Sequence, residues 1–425
     1  MGQITKQVAL YIGLLLVCSS FTLIFPFYPK IAESKGVDLW LIGLIFSLNP
    51  IVNVLCTPFL GKYMHKIGRK RIVVASFVMT GLSMFILCPI EMSDKETLLI
   101  LSVISRICSG FAVSFVFTSV TSIFVSDYPD NVLIMIGRME AAVGIGLILG
   151  PIIGTGLYFM QLFGALIFSG GLVILFAPIA SKMLGTFHDL KTTNAEVNSL
   201  PLLLKPKIFL TLMMDAAFLF SYGLIATVLE VHLDHFGFNS LEVAMVFVMG
   251  SVLYLIISFV GGHWLKHSNE RLCMAIGVLS LAVGYLMLAP WRVIFPNEVW
   301  VVILSIPFIS LGQCFCYSIF YIVFSIPYMQ RSACEDYGYK KSDMLDEQIC
   351  SYSVTACGIG EIIGPIYAGM VTDFYGIEIC CVLISGVSVV YCIIFIIGTG
   401  MVSDLCKRKH IKIDNISELE ASITK

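Results

Sequence analysis

Runs of about twenty apolar residues recur along the chain, each long enough to cross the roughly 30 Å hydrocarbon core of a bilayer as a helix. Twelve can be read: Val8 to Tyr28, Trp40 to Leu60, Ile72 to Ile90, Thr97 to Phe117, Met139 to Phe159, Phe163 to Ala180, Ile208 to Val231, Val243 to Gly261, Leu272 to Pro290, Val299 to Phe324, Ile349 to Val371 and Ile377 to Ile397. The expected class is therefore an all-α membrane protein. Composition leaves little alternative, because 58% of the 425 residues are hydrophobic and only 13% are charged, too few to cover a water-facing surface. The first run is about twice the length of a secretory h-region and lacks a convincing cleavage site, so it reads as a retained span.

The net charge of −2 says little about partners, and no nucleic-acid partner is expected. The placement of charge is more informative. With both termini in the cytosol, the inner segments hold 21 of the 26 Lys and Arg, the outer segments hold four, and Arg106 lies inside a span. That asymmetry sets the orientation by the positive-inside rule. The longest polar interruption, 181–207, follows the sixth span and reads as a cytosolic linker. It joins an N-terminal six-helix bundle (1–180) to a C-terminal one (208–400), with a cytosolic tail at 401–425. A second polar stretch, Gln330 to Glu347, separates spans ten and eleven; it and the tail are expected to be cytosolic and mobile. Asn415-Ile-Ser417 has the glycosylation pattern but falls on the cytosolic side.

The halves repeat each other. Gly144-Ile-Gly-Leu-Ile-Leu-Gly150-Pro151-Ile in span five recurs in span eleven as Gly358-Ile-Gly-Glu-Ile-Ile-Gly364-Pro365-Ile, the footprint of a duplicated bundle. Glycines three and four apart share a helix face and admit a second backbone, and the proline removes a hydrogen bond and bends the helix. Gly61-Lys-Tyr-Met-His65-Lys-Ile-Gly68-Arg69-Lys70-Arg71 puts five cations into eleven residues between spans two and three. It reads either as a topology signal alone or as an inner gate that latches the bundles in an outward-facing state.

Arg106 lies about 14 Å into span four, near the midplane, where a guanidinium must face a polar cavity or an acid. By the same rise Asp215 is about 11 Å and Glu361 about 18 Å from the inner ends of spans seven and eleven, and Glu140 is barely inside span five. Glu361 thus reads as the best-buried carboxylate. Glu230 lies about 33 Å along span seven, which by length alone places it at the outer interface. A carboxylate in a low-dielectric cavity favours its protonated form, so a proton gradient can load and unload it while a cationic substrate competes for the site. Phe27, Tyr28, Tyr222 and Tyr317 could add cation–π contacts to an amine, and His232 and His235 could sense luminal pH. The 14 cysteines lie mostly inside spans and read as packing residues. No nucleophile–base set, phosphate loop or metal spacing points to an enzyme, a cofactor or a metal.

These motifs resemble a known superfamily across essentially the whole chain. The inner loop resembles motif A of major facilitator transporters, Arg106 with Gly110 resembles their Arg-x-x-x-Gly motif B, and Gly146 to Gly154 resembles motif C of the proton antiporters. Phe25-Pro26-Phe27-Tyr28-Pro29, Leu229-Glu230 and Gly364-Pro365 look like the vesicular amine transporter family, nearest to its polyamine branch. Motif A usually has an acid where this chain has His65. The monoamine and acetylcholine branches carry acids within spans one, ten and eleven; here spans one and ten have none and Glu361 is displaced toward Pro365.

The resemblance implies a major facilitator fold of twelve transmembrane helices in two pseudo-symmetric six-helix bundles, working as a monomer in a vesicle, another acidic organelle or the plasma membrane. It implies proton-coupled antiport of an organic cation such as a polyamine. Glu230, Glu361, Arg106, Asp215, Tyr222 and Tyr317 would serve substrate and proton, and Gly61, His65, Gly68, Arg69, Lys70, Gly146, Gly150, Pro151, Gly154, Gly364 and Pro365 would serve gating. A broad drug/proton antiporter shares the same motifs, and a non-transporting receptor or scaffold on the same fold is a further alternative.

Overall fold

The computed structural model describes residues 3–128, 132–157, 161–185, 200–264, 270–289, 295–296, 298–316, 325–340 and 343–401. Its helices are α1 (Gln3–Thr22), α2 (Tyr28–Ser34), α3 (Leu39–Ile67), α4 (Arg69–Leu87), α5 (Lys95–Asp127), α6 (Val132–Gly156), α7 (Gln161–Leu184), α8 (Pro206–Asp234), α9 (Ser240–Trp264), α10 (Glu270–Leu288), α11 (Val299–Cys316), α12 (Ile326–Glu335), α13 (Asp343–Tyr375) and α14 (Ile377–Gly398). Among the described residues, eleven helices are long and apolar enough to cross a bilayer, and α9 adds a shorter apolar stretch, Leu241–Ile257. The chain is thus an all-α, multi-pass membrane protein. In hydrocarbon every backbone polar group must be satisfied within its own segment, so helices are the form such runs take.

Two glycine seams build matching halves. Along α6, Gly146, Gly150 and Gly154 share one face, and a Cβ on them would stand 2.7 Å from Leu15 O, 2.5 Å from Ser19 O and 2.8 Å from Phe27, so α6 lies against α1 backbone to backbone. Along α13, Gly360 and Gly364 do the same to α8, with Ala216 O at 2.0 Å and Phe220 O at 2.4 Å. Pro151 and Pro365 sit inside these two helices. The halves then meet through a second symmetric set, α3 against α13 and α6 against α9. Serines tie the remaining helices together without charge: Ser20 and Ser169 join α1 to α7 at 2.9 Å, Asn49 Nδ2 donates to Ser109 Oγ at 2.6 Å, and Ser385 Oγ donates to Ala282 O at 2.8 Å. In a bilayer such hydrogen bonds and close packing supply what the hydrophobic effect cannot.

Several boundaries differ from the sequence reading. The first span was expected to run unbroken to Tyr28, but α1 ends at Thr22 and the chain tightens through Phe25 N to Thr22 O and Phe27 N to Ile24 O before α2 restarts at Tyr28. Pro26 has no N–H to continue the ladder, and Pro29 suits a helical first turn. The polar stretch after span ten is likewise not a mobile loop where it is described. Residues up to Glu335 belong to α12, whose Met329 and Ala333 pack with Leu345 and Ile349 against Leu202, Ile208 and Leu212. A polar average over that stretch hides one apolar face. Span four was drawn too short, because α5 continues to Asp127. The tail beyond residue 401 and the linker 186–199 lie outside the described residues.

Because α1 and α6 pack backbone to backbone along this seam, adding one methyl to it must disturb the half. Gly150→Ala puts its Cβ 2.0 Å from Thr22 Oγ1 and 2.5 Å from Ser19 O, an overpacking that costs about 1–3 kcal/mol. Gly171→Ala, with nothing within 4 Å, is the control. Thermal denaturation in detergent is expected to show a lower Tm for Gly150→Ala alone; equal Tm values would remove the seam from the account.

Candidate functional site

Arg106 lies in α5, is 3% exposed, and has its guanidinium carbon 4.8 Å from the Phe46 ring centre, 5.7 Å from Phe21 and 6.0 Å from Phe25. Phe21 and Phe25 are one turn apart at the end of α1, and Phe46 faces them from α3. A cation against aromatic faces is favourable, more so when desolvated. Its Nη2 nevertheless finds no hydrogen-bond partner among the described residues. Tyr28, which donates to Ser102 Oγ at 2.8 Å, and Glu361 of α13 are the ionisable groups that interact with it electrostatically. Tyr222 of α8 meets Phe25 edge-on at 5.7 Å between ring centres and also senses Glu361. An N-half cation and a C-half carboxylate are therefore electrostatically coupled, with the rings of Phe25 and Tyr222 beside them.

Glu361 is half-buried, which corrects the expectation that it is the best-buried carboxylate. Asp215 and Glu230 are both 0% exposed. Helical rise measures depth in the membrane but not the direction of a side chain, and Glu361 keeps partial exposure where Asp215 and Glu230 keep none. Glu230 lies near the end of α8, where its distance along the helix puts it, but it is buried there instead of solvated. Its Oε2 accepts the backbone N–H of Lys30 at 2.9 Å while Oε1 has no partner among the described residues. One turn on, Asp234 receives the Lys30 ammonium at 2.5 Å, at side chains 39% and 46% exposed. These contacts pin the start of α2 to the end of α8. Beside them α3 and α13 approach closely: a Cβ on Gly43 would lie 2.2 Å from Pro365 O, one on Gly369 2.6 Å from Leu39 O, and Ser47 Oγ donates to Ile362 O at 2.7 Å. The halves are closed at the end where α1 hands over to α3.

A cleft of about 640 Å³, open mouth included, lies between α6 on one side and α8, α9 and α11 on the other. Phe25, Phe218, Tyr222, Phe247 and Tyr254 give it an aromatic wall, with Phe218 and Tyr254 stacked at 6.0 Å. Its polar edge consists of Ser251, Ser310 and Gln313, the last donating to Ser221 Oγ at 3.1 Å. Among the described residues the lining holds neither an acid nor a base; its Phe25 lies by Arg106 and its Tyr222 is coupled to Glu361.

The other expected residues are dispersed. Asp215 lies in a separate junction of the C-half, bonded to Ser325 and Ser353. Gly68 takes φ of +92°, a conformation that favours glycine, at the joint of α3 and α4. Gly61 and His65 lie on the last turns of α3, Arg69 is buried at the start of α4, and Lys70 follows it. Near that joint Leu60, Met64 and Ile72 pack on Phe115, all within the N-half. Tyr317 and the side chains of His65 and Glu140 lie outside the described residues. Sequence reasoning missed Phe21 and Phe46 as partners of Arg106, though the four-residue spacing of Phe21 and Phe25 was a usable signal. It also missed Lys30 with Asp234, for which no local pattern exists.

The comparisons with known proteins bear on this arrangement. A family model described as Major Facilitator Superfamily matches residues 10–331. The MFS-type transporter SLC18B1 of Homo sapiens is 25% identical over 421 residues, covering 95% of this chain and 88% of that protein. The Quinolone resistance protein NorA of Staphylococcus aureus (strain COL) is 26% identical over 405 residues, covering 92% and 96%. Among solved structures, the nucleoside transporter NupG superposes with a TM-score of 0.66 at 14% identity over 92% of this chain and 98% of that one. The human organic anion transporter MFSD10 (TETRAN) gives 0.63 at 18% over 93% and 100%. At those identities the two structures speak for the fold alone.

Arg106→Lys tests the aromatic cage. The ammonium keeps the charge but loses the planar face that lies on three rings, so solute movement by reconstituted protein is expected to fall at least tenfold, close to the level of Arg106→Ala, with both variants still inserted. Wild-type activity in Arg106→Lys would show that charge alone matters.

Proposed function

The chain belongs to the Major Facilitator Superfamily and is a membrane transporter, not an enzyme, and from that premise we propose that it exchanges amphipathic organic cations of broad structure for protons. The observation that carries this reading is the cleft: among the described residues, five aromatic rings, a thin polar edge, and no acid in its lining. A polyamine presents several separated ammonium groups and needs spaced carboxylates to replace their water. An aromatic cation needs apolar and π surface with one compensating charge nearby, and this cleft supplies the first while Glu361 supplies the second. Relatives whose names record resistance to quinolones or to many drugs lie on the same side of the choice. The broad antiporter therefore replaces the vesicular polyamine transporter as the favoured reading.

In this scheme Glu361 accepts either a proton or the substrate cation, since both cannot be compensated by one carboxylate. Arg106, facing it from the other half, repels the loaded cation and discharges it toward the open side. Tyr222 and Phe25 form the partition between cleft and charge pair. Residues 1–180 and 208–400 act as the two rocking halves of twelve spans, joined by 181–207, with both termini cytosolic and the protein monomeric. With that orientation the Lys30–Asp234 clasp and the α3–α13 contact close the outer side, leaving access from the cytosol. The glycines of α6 and α13 and the 61–71 loop are the sliding and latching surfaces, and the vesicular or plasma membrane is the setting.

Proteoliposomes loaded with acid test the proposal directly. External ethidium is expected to accumulate when the interior is acidic and to stop when a protonophore is added, and a quinolone should compete with it more than tenfold better than spermine. Glu361→Gln should abolish the accumulation while leaving the protein in the membrane. Spermine accumulating in preference to the dye would return the substrate to the polyamines, and uptake indifferent to the pH difference would remove proton exchange.

A further inference from the structure

Away from the cleft, a second carboxylate is buried where nothing charged compensates it. Asp215 of α8 is 0% exposed. Ser325, at the entry to α12, donates to its Oδ1 at 2.8 Å and approaches Oδ2 at 3.1 Å, and Ser353 of α13 bonds Oδ2 from the other side. Its backbone carbonyl takes the Cys357 thiol at 3.2 Å, and α13 presses on α8 at the next residue, where Gly360 meets Ala216 O. The titratable groups facing it are Cys316 of α11, Cys357 of α13 and Tyr391 of α14. Among the described residues it has no ion pair and no Lys, Arg or His partner.

An isolated carboxylate in so dry a place carries a desolvation penalty of several kcal/mol. Backbone N–H partners would fix it as an anion, because they can only donate. Hydroxyls differ, being donors and acceptors at once. With the acid ionised, both serines donate to it. With a proton on Oδ2, the carboxyl donates to Ser353 Oγ and Ser325 still donates to Oδ1. The same two partners serve both states, so the cage fits a group that gains and loses a proton without being rebuilt.

We propose that Asp215 is a second transported-proton site, in the C-half and separate from Glu361; this rests on the proton-exchange reading above. Its position supports a coupling role. It lies about 14 Å along α8 from Pro206, toward the end opposite the Lys30–Asp234 clasp. Ser353 precedes Glu361 on α13 by about two turns, and α13 is the helix that Ser47 and Gly43 of α3 engage across the halves. Gain or loss of the proton keeps both serine partners but reverses the hydrogen bond to Ser353 and changes the charge held between α8 and α13, and so reaches the interface between the halves through one rigid helix. Two protons leaving per monocation entering move one net positive charge outward, so the exchange is electrogenic.

Acid-loaded proteoliposomes with ethidium as the monocationic probe separate the outcomes. Wild type is expected to respond to the pH difference and, at least fivefold, to an interior-positive potassium diffusion potential. Asp215→Asn, which keeps the shape of the protonated acid, is expected to retain uptake driven by the pH difference and to lose the response to potential. Glu361→Gln should lose both. A potential response in Asp215→Asn equal to wild type overturns the second site. Wild type indifferent to pH would instead overturn the antiport reading beneath it. Should Asp215→Asn fail to insert, Ser353→Ala carries the test: it is expected to displace the pH profile of uptake by at least half a unit, and an unmoved profile overturns the proposal.

Discussion

A positive charge held in the middle of a hydrocarbon layer must be compensated by the protein that carries it, and much of this chain is arranged around that requirement. Arg106 is desolvated, lies on three aromatic faces and still has an unbonded nitrogen. Rings lower the energy of the cation without satisfying its donors, so Arg106 remains responsive to whatever charge the facing helix presents. The glycine seams make that facing possible. Without side chains at Gly146, Gly150, Gly360 and Gly364, α1 lies on α6 and α8 lies on α13 at backbone distance, bringing Phe21 and Phe25 on one side and Glu361 on the other up to the joint between halves.

The fold was more legible than the site because its determinants are local. Apolar length marks a span, small residues on one face mark a seam, and Gly68 marks a turn that only glycine adopts easily. Even so, Pro26 ended α1 early and the amphipathic α12 hid inside a stretch that averages as polar. Side-chain direction is not local. Depth along a helix ranks Glu361 as the most buried acid and Glu230 as the most superficial, whereas Glu230 and Asp215 are shielded fully and Glu361 only in part, because a rotation of 100° per residue decides what an acid faces. Lys30 with Asp234, 204 positions apart, leaves no trace in either segment.

The three acids thereby separate into different environments, and environment determines what each can do. Glu230 is capped by a backbone N–H at the closed end, which favours a clasp. Asp215 is caged by hydroxyls, which tolerate either protonation state. Glu361 is coupled to the Arg106 guanidinium of the other half, and under the proposed rocking of the halves its partner would change with their orientation. Equal chemistry at three depths would give one titrating population; unequal partners give an ordered sequence of events.

Separation of apolar recognition from charge compensation has a consequence for selectivity. A cleft walled by Phe218, Tyr254, Phe247 and Tyr222 grips by dispersion and π contact, forces that depend weakly on the details of a ligand. In the proposed exchange, charge is read at a single carboxylate, Glu361, which lies outside that lining. A pocket that placed its acids in the wall would fix the spacing of the ammonium groups it accepts and reject ligands of other lengths, leaving its own buried charges unpaired. Under the proposed function, with shape and charge handled by different groups, many flat or bulky monocations would satisfy both, and discrimination would fall mainly on valence and size.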